Sequence, residues 1–209
     1  MEIHHPDGPI HSKKAFVVHM LTVVLGILIA LGLEAIVQWA HHRVLVREAR
    51  TNIAAEIEKN KATVEKAGAT IPRTEEELKA IIAAMQQLEE GREFGGELRF
   101  GFTNYSLPST AWKTAASSGA VTYMDYDELT RYTAVYDLQQ DFLNRQHEEF
   151  RALTELSRLP GLLDQDAKKV PADQFRQMED AATRALFVET TLQEMAKVLA
   201  RQYKELPAK

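Results

Sequence analysis

The feature that most constrains this chain is an apolar run of membrane length near its N-terminus. Residues 15–39 read AFVVHMLTVVLGILIALGLEAIVQW, and about 19 residues from Ala15 to Leu33 pass without a formal charge. At ~1.5 Å of rise per residue, this stretch spans roughly 28 Å as a helix, close to the ~30 Å hydrocarbon thickness of a bilayer. We therefore predict a transmembrane helix over residues 15–40.

Two other interpretations of this run fit less well. A cleaved signal peptide has a shorter apolar core and a small-residue exit, whereas here the chain passes from Leu33 through Glu34 and Trp39 with no Gly or Pro. A buried core helix is usually shorter and carries a polar stripe. No second apolar run of membrane length follows, so we expect one crossing, with the helix continuing into solvent.

Aromatic and basic residues that suit the headgroup region follow the anchor: Trp39, His41, His42 and Arg43. Contact with lipid phosphate is favoured over metal binding for this group. Lysine and arginine lie on both flanks of the anchor, so the positive-inside rule does not decide the orientation. Long domains translocate largely regardless of charge, and we expect the C-terminal domain on the periplasmic side of a bacterial inner membrane.

Small and polar residues recur every four positions inside the anchor, and the predicted contact face consists of Thr22, Gly26, Ala30 and Glu34. A small-xxx-small pair lets two helix backbones approach closely in lipid. Glu34 lies only five residues before Trp39. Its carboxylate either reaches headgroups and water or faces another transmembrane helix, in a second copy or a partner. A proton or ion pathway is a third, remote alternative.

Composition limits the possible partners and chemistry. The chain has 209 residues, a net charge of −5 and no cysteine. An acidic balance argues against nucleic acid, because phosphate binding needs a basic face. Without cysteine there is no disulfide, thiolate metal site or cysteine nucleophile. We predict no cofactor and no metal site.

The region after the anchor is predicted to be helical. Residues 1–14 are expected to form an irregular tail, and residues 41–90 a stalk helix that pairs with a second helix as an antiparallel helical hairpin. Gly68 and Pro72 are taken as the break between the two helices of the hairpin. Thr74 with Glu77, as a capping box, would begin the second helix, and Gly91 would end it.

The rest of the chain is predicted to hold a loop-rich segment and a long helix pair. Residues 91–124 are rich in glycine and contain one short helix, STAWKTAASSG; a strand pair is a weaker alternative. Residues 125–209 show helical spacing of apolar residues, begin at the N-cap residue Asp125, and are interrupted near Pro160 and Pro171. Their short connection predicts two long helices packed antiparallel.

No constellation of residues supports catalysis. Ser109, Lys113 and Ser117 share one helix face, but an exposed lysine is protonated and a poor base. The sequence HEEFR from His147 to Arg151 lacks the second histidine of the zinc-protease motif. The tyrosines Tyr132 and Tyr136 either belong to the core or line a ligand pocket.

Several segments together resemble a known family. GILIALGLE leads into REARTNIAAEIEKN, which carries an acid and an asparagine at Glu56 and Asn60. Further on stand STAWKTAASSGAV and the spacing of Leu129, Tyr132 and Tyr136. These segments are similar to those of small bacterial single-pass membrane proteins that are classed as a domain of unknown function. The resemblance implies an N-terminal anchor and a helical C-terminal domain, and it implies no activity.

The sequence therefore predicts an all-α protein with one transmembrane helix, a stalk and a small antiparallel helical bundle. We expect a non-enzymatic scaffold, oligomeric or an accessory subunit of a membrane complex, with the lipid bilayer and a homo-oligomer or partner transmembrane helix as partners. The alternative function is a membrane-anchored sensor or ligand-binding bundle with a pocket near Tyr132 and Tyr136.

Overall fold

The computed structural model describes residues 13–163 and 169–206, and within those residues the chain forms helices and no strand. The all-α class predicted from the sequence is confirmed. The elements are α1 (Lys13–Glu89), α2 (Thr110–Ser117), α3 (Tyr126–Glu155), α4 (Leu159–Leu163) and α5 (Ala172–Glu205). Short 3-10 turns at Ala120–Tyr123 and Leu156–Arg158 lie before and after α3. Most of the predicted tail 1–14 lies outside the described residues.

The chain divides into two compact units, residues 1–48 and residues 49–209. In the first unit, every side chain from Lys13 to Ala40 is exposed. This part of α1 is long and apolar enough to cross a membrane, and none of its apolar stretch is buried within the protein. It is the one such helix among the described residues. A core helix of a soluble protein would bury most of these side chains, so that alternative does not describe this helix.

In the second unit, α1 buries a regular stripe of side chains. Ile57, Val64, Ile71, Leu78 and Met85 recur every seven residues, and each is at most 7% exposed. A second series at the intermediate positions completes the alternating steps of three and four that are typical of packed helices: Ile53, Asn60, Ala67, Ile81 and Leu88. The stripe runs without a change of phase to the end of the helix.

The predicted helical hairpin over 41–90 is wrong, because α1 continues through Gly68 and Pro72 to Glu89. A proline in a helix removes the hydrogen bond to the carbonyl four residues earlier. Here that carbonyl belongs to Gly68, and the side chain of Gln193 on α5 donates a hydrogen bond to it at 3.4 Å. Thr74 therefore lies inside the helix and begins no second one.

The C-terminus of α1 is closed by a left-handed glycine, as the sequence predicted. Gly91 has φ 74°, and its N–H donates to Leu88 O at 3.0 Å, while Arg92 N–H donates to Gln87 O at 2.9 Å. These are the paired hydrogen bonds of a Schellman motif. The chain then runs as an irregular segment to residue 109.

A buried glutamine on α3 holds this irregular segment in place. Gln146 Oε1 accepts a hydrogen bond from Tyr105 N–H at 2.7 Å, and Gln146 Nε2 donates to Tyr105 O at 3.2 Å and to Asn104 Oδ1 at 2.8 Å. One side chain thus pairs both backbone groups of Tyr105. With Tyr105 and Leu107 buried, the segment is a packed loop, and the alternative of a strand pair does not occur.

Contacts between side chains show the relative directions of the long helices. Gln139, Glu149 and Glu155 on α3 interact with Tyr203, Glu189 and Arg184 on α5, so these two helices are antiparallel. On α1, Arg50, Glu56 and Asn60 contact Glu128, Tyr136 and Gln139 in the same order, so this part of α1 and α3 run parallel. Asp125 caps α3 by accepting hydrogen bonds from the N–H groups of Asp127 and Glu128 at 3.0 and 3.3 Å.

Candidate functional site

The predicted contact face of the anchor lies on the exposed first part of α1. A Cβ added at Gly26 would meet no atom within 4 Å apart from the neighbouring backbone of its own helix, so the surface beside it is open. Thr22 Oγ1 donates to Val18 O at 2.9 Å, which satisfies the hydroxyl inside its own helix. Gln38 Nε2 donates to Glu34 Oε1 at 3.1 Å. The face is accessible to a second helix, and its role as a contact surface stays a prediction.

The predicted headgroup residues include one ordered pair. The guanidinium carbon of Arg43 lies 4.7 Å from the centre of the Trp39 ring, a cation–π arrangement one helical turn apart. The neighbouring rings of His41 and His42 lie 6.1 Å apart. Tryptophan and arginine both suit the boundary between hydrocarbon and headgroups, where the indole is half-solvated and the cation meets lipid phosphate.

A carboxylate on α1 joins three helices of the second unit. Glu56 Oε1 accepts a hydrogen bond from the Tyr136 hydroxyl at 2.8 Å, and Glu56 Oε2 accepts one from the Ala111 N–H at 2.9 Å. Ala111 lies in the first turn of α2, where backbone N–H groups have no partner within the helix. Ser109 occupies the N-cap position of α2 but makes no side-chain cap. The carboxylate of Glu56 caps the start of α2 instead of Ser109.

Asn60, one turn further along α1, forms hydrogen bonds to the same region. Its side-chain amide donates to Pro108 O at 2.9 Å and to Gln139 Oε1 at 3.0 Å. Asn60 and Gln139 are at most 1% exposed. Asn60 Oδ1 is buried without a hydrogen-bond partner among the described residues, and the side chain of Gln139 lies beside the Tyr203 hydroxyl of α5.

The rings of the predicted aromatic pocket pack on one another. Trp112 stacks on Tyr136 with ring centres 5.3 Å apart and planes 10° apart, and its ring centre lies 6.2 Å from that of Tyr132. Burial raises the pKa of Tyr136, and the hydrogen bond to the Glu56 carboxylate raises this pKa further. Burial also raises the pKa of Tyr132, followed by the charge of Glu128. Both phenols are therefore neutral hydrogen-bond donors at physiological pH.

The clefts found in the described residues lie in a part of the second unit away from Tyr132 and Tyr136. A cleft of about 340 Å³ and one of about 510 Å³ share Arg158, Gln177 and Met178 in their linings, beside α4 and the start of α5. Neither is lined by Tyr132 or Tyr136. A ligand pocket at those tyrosines stays a prediction.

The structure brings no catalytic set together among the described residues. Ser117 Oγ donates to Thr114 O at 3.1 Å inside α2, and Lys113 is exposed. His147 is also exposed on α3. No group of three or more His, Cys, Asp or Glu residues with the geometry of a metal site occurs in residues 13–163 and 169–206.

Two acids that the sequence reasoning missed occupy the contact between α3 and α5. Glu149 and Glu189 are 3% and 2% exposed, and their carboxyl groups face each other. On α3 the apolar residue Phe150 is exposed, whereas the buried stripe carries Gln139, Gln146 and Glu149. An apolar pattern cannot reveal a core stripe whose members are polar.

Comparison of the chain with protein-family models, curated proteins and solved structures finds no match. The resemblance described from the sequence is therefore without independent support. The residues that carry it nevertheless converge in space, because Glu56, Asn60, Trp112 and Tyr136 all belong to the junction of α1, α2 and α3. This placement explains why such residues would occur together, and it says nothing about activity.

Proposed function

We propose that this chain is a single-pass, membrane-anchored helical scaffold that acts as an oligomer or as an accessory subunit of a membrane complex. The observation that carries the proposal is the first part of α1, where an apolar stretch of membrane length leaves every side chain exposed. Exposed apolar surface of this extent needs lipid or a partner to cover it. The Trp39–Arg43 pair at the end of the stretch suits a headgroup boundary.

The second unit supports a role in interaction more than in chemistry. Its polar side chains join helices: Glu56 and Asn60 hold the segment around α2, and Arg50 pairs with Glu128. Such contacts order a surface without providing a nucleophile or a base. The periplasmic placement of this unit in a bacterial inner membrane is part of the same proposal.

Membrane fractionation tests the anchor. The full chain should stay with membranes after an alkaline carbonate wash and should be released only by detergent. Recovery in the soluble fraction would end the proposal. Since the chain has no cysteine, one cysteine introduced at the exposed position Ser106 reports the orientation. A membrane-impermeant maleimide should label Ser106→Cys in intact spheroplasts if the second unit is periplasmic.

Assembly size in mild detergent tests the lateral contact. Gly26→Leu with Ala30→Leu adds bulk to the predicted contact face and should reduce the assembly to a smaller species. Gly32→Leu with Ala35→Leu adds the same bulk on the opposite side of the helix, where the assembly should be unaffected. Equal sizes for the two double variants would remove the argument for this face while leaving the anchor intact.

A further inference from the structure

The contact between α3 and α5 contains an acid facing an acid. Glu149 on α3 and Glu189 on α5 are both almost fully buried. Other acids of this unit have donors: the buried Glu128 meets the guanidinium of Arg50, and the half-buried Glu56 meets a hydroxyl and a backbone N–H. The Glu149–Glu189 pair places two like groups where burial makes charge costly.

Hydrogen bonding shows what the pair lacks. Glu149 Oε2 and Glu189 Oε2 are both buried without a hydrogen-bond partner. An ionised carboxylate only accepts hydrogen bonds, so two ionised groups leave each other unsatisfied. A protonated carboxyl group has an O–H donor. One proton on either residue therefore supplies the missing donor and removes one of the two charges.

Among the described residues, the groups that interact with the pair supply no positive charge. Thr74 on α1 lies beside Glu189, and the nearby charge from α1 is the acid Glu75. Tyr105 faces both acids from the irregular segment, and burial raises the pKa of its phenol. Burial raises the pKa of Glu149 to about 9, and the charge of Glu189 adds to this. Burial also raises the pKa of Glu189.

We propose that Glu149 and Glu189 form a proton-dependent clasp between α3 and α5, which is closed while the two carboxyl groups share a proton and loosens when that proton is lost. The clasp is independent of the membrane anchor and of the proposed scaffold function. It makes the tightness of the α3–α5 contact, and of any surface built on these helices, respond to the pH on the side of the membrane where the unit lies.

The direction of the response follows from proton binding. The ordinary pKa of a glutamate is 4.5, and in the folded chain that of Glu149 is about 9. Between these values the folded state holds a proton that the unfolded state has released, so stability is full below the lower value and falls as pH rises through the window. Each such proton changes the unfolding equilibrium constant by up to about tenfold per pH unit.

Urea unfolding of the full chain in detergent, followed by far-ultraviolet circular dichroism from about pH 5 to about pH 9, tests the clasp. The wild-type chain should unfold more easily as pH rises. Glu149→Gln with Glu189→Gln keeps the shapes of the side chains, removes both titrating groups and should abolish most of this dependence. The control, Glu148→Gln with Glu194→Gln, removes two exposed acids from the same helices and should keep it.

The proposal is overturned if the wild-type chain and the Glu149→Gln, Glu189→Gln variant show the same pH dependence, or if the control variant loses as much of it. Carboxyl-carbon NMR of the wild-type chain gives a second measurement that needs no folded variant. One or two glutamate resonances should remain protonated well above pH 6, as expected for buried acids. Titration of every glutamate near its ordinary pKa would also overturn it.

Discussion

The hydroxyl of Tyr136 donates a hydrogen bond to the carboxylate of Glu56 at 2.8 Å, across 80 positions of the chain. The other oxygen of the same carboxylate accepts the Ala111 N–H, and the Tyr136 ring lies flat against Trp112. The Glu56 carboxylate on α1 therefore holds both the Tyr136 side chain of α3 and the start of α2. Loss of this acid would free a backbone donor and a buried hydroxyl at once.

Removing the hydroxyl should weaken the second unit measurably. Tyr136→Phe keeps the ring on Trp112 but removes the donor to Glu56, and we expect a loss of about 1–2 kcal/mol in the free energy of unfolding. Glu56→Ala should cost more, about 2–3 kcal/mol, because two donors lose their acceptor. Urea unfolding of the full chain in detergent measures both losses.

A double-mutant cycle isolates the hydrogen bond from the other contacts of the two residues. Tyr136→Phe should have little effect in the Glu56→Ala background, because its partner is already gone. Tyr126→Phe is the matched control, since Tyr126 is 78% exposed and its hydroxyl should contribute close to nothing. Additive effects of Tyr136→Phe and Glu56→Ala would contradict the junction.

Arg50 and Glu128 provide a second link between α1 and α3. The guanidinium donates from Nε and Nη2 to the two carboxylate oxygens at 2.8 and 2.6 Å, and this hydrogen bonding raises the pKa of Arg50. Arg50→Met leaves the largely buried Glu128 without a cation, and we expect a loss of about 1–3 kcal/mol. Arg50→Lys should recover only part of it, because an ammonium cannot form the two-pronged contact.

An exposed ion pair on α1 is the control for this prediction. Lys79 and Glu76 lie three residues apart with a contact of 2.8 Å, and both side chains are more than half exposed. Lys79→Met should leave the free energy of unfolding nearly unchanged, because solvent screens an exposed ion pair. Equal losses for Arg50→Met and Lys79→Met would show that the burial of Glu128 does not make its ion pair with Arg50 more stabilising than an exposed pair.

Helix α1 and its neighbours show which features of the fold could be predicted from the sequence. The apolar helix of membrane length, the N-cap at Asp125 and the left-handed Gly91 are local signals, and each is found where the pattern placed it. The break at Gly68 and Pro72 was inferred from the same kind of signal and is absent. The better guide was the seven-residue repeat from Ile57 to Met85, which passes through the proline in phase and predicts one helix.

The partners of the acids could not be predicted in the same way. Glu56, Glu149 and Glu189 look like surface residues in a helical pattern, and the groups they contact lie between 40 and 80 positions away along the chain. Which donor meets which carboxylate is decided by the relative register of α1, α3 and α5. That register is set by packing over the whole length of these helices, and no short motif encodes it.

The continuity of α1 through Pro72 gives the last prediction. Pro72 is exposed, so replacing it with alanine loses little packing and restores the backbone hydrogen bond to the Gly68 carbonyl. A proline inside a helix costs roughly 3 kcal/mol relative to alanine. Because Gln193 already supplies part of the missing hydrogen bond, we expect Pro72→Ala to raise the free energy of unfolding by about 1–3 kcal/mol.

Changing Gln193 and Pro72 singly and together separates the contribution of the Gln193 amide from the effect of the proline. In the wild-type chain Gln193→Ala should cost about 1 kcal/mol, because the Gly68 carbonyl then has no donor. In the Pro72→Ala background the same change should cost clearly less, since the backbone N–H of residue 72 has taken over. Gln174→Ala, at an exposed position on the same helix, should be near neutral in both. An equal cost of Gln193→Ala in the two backgrounds would show that its amide does not replace the hydrogen bond lost at Pro72, and the helix would then owe its continuity to the buried seven-residue stripe alone.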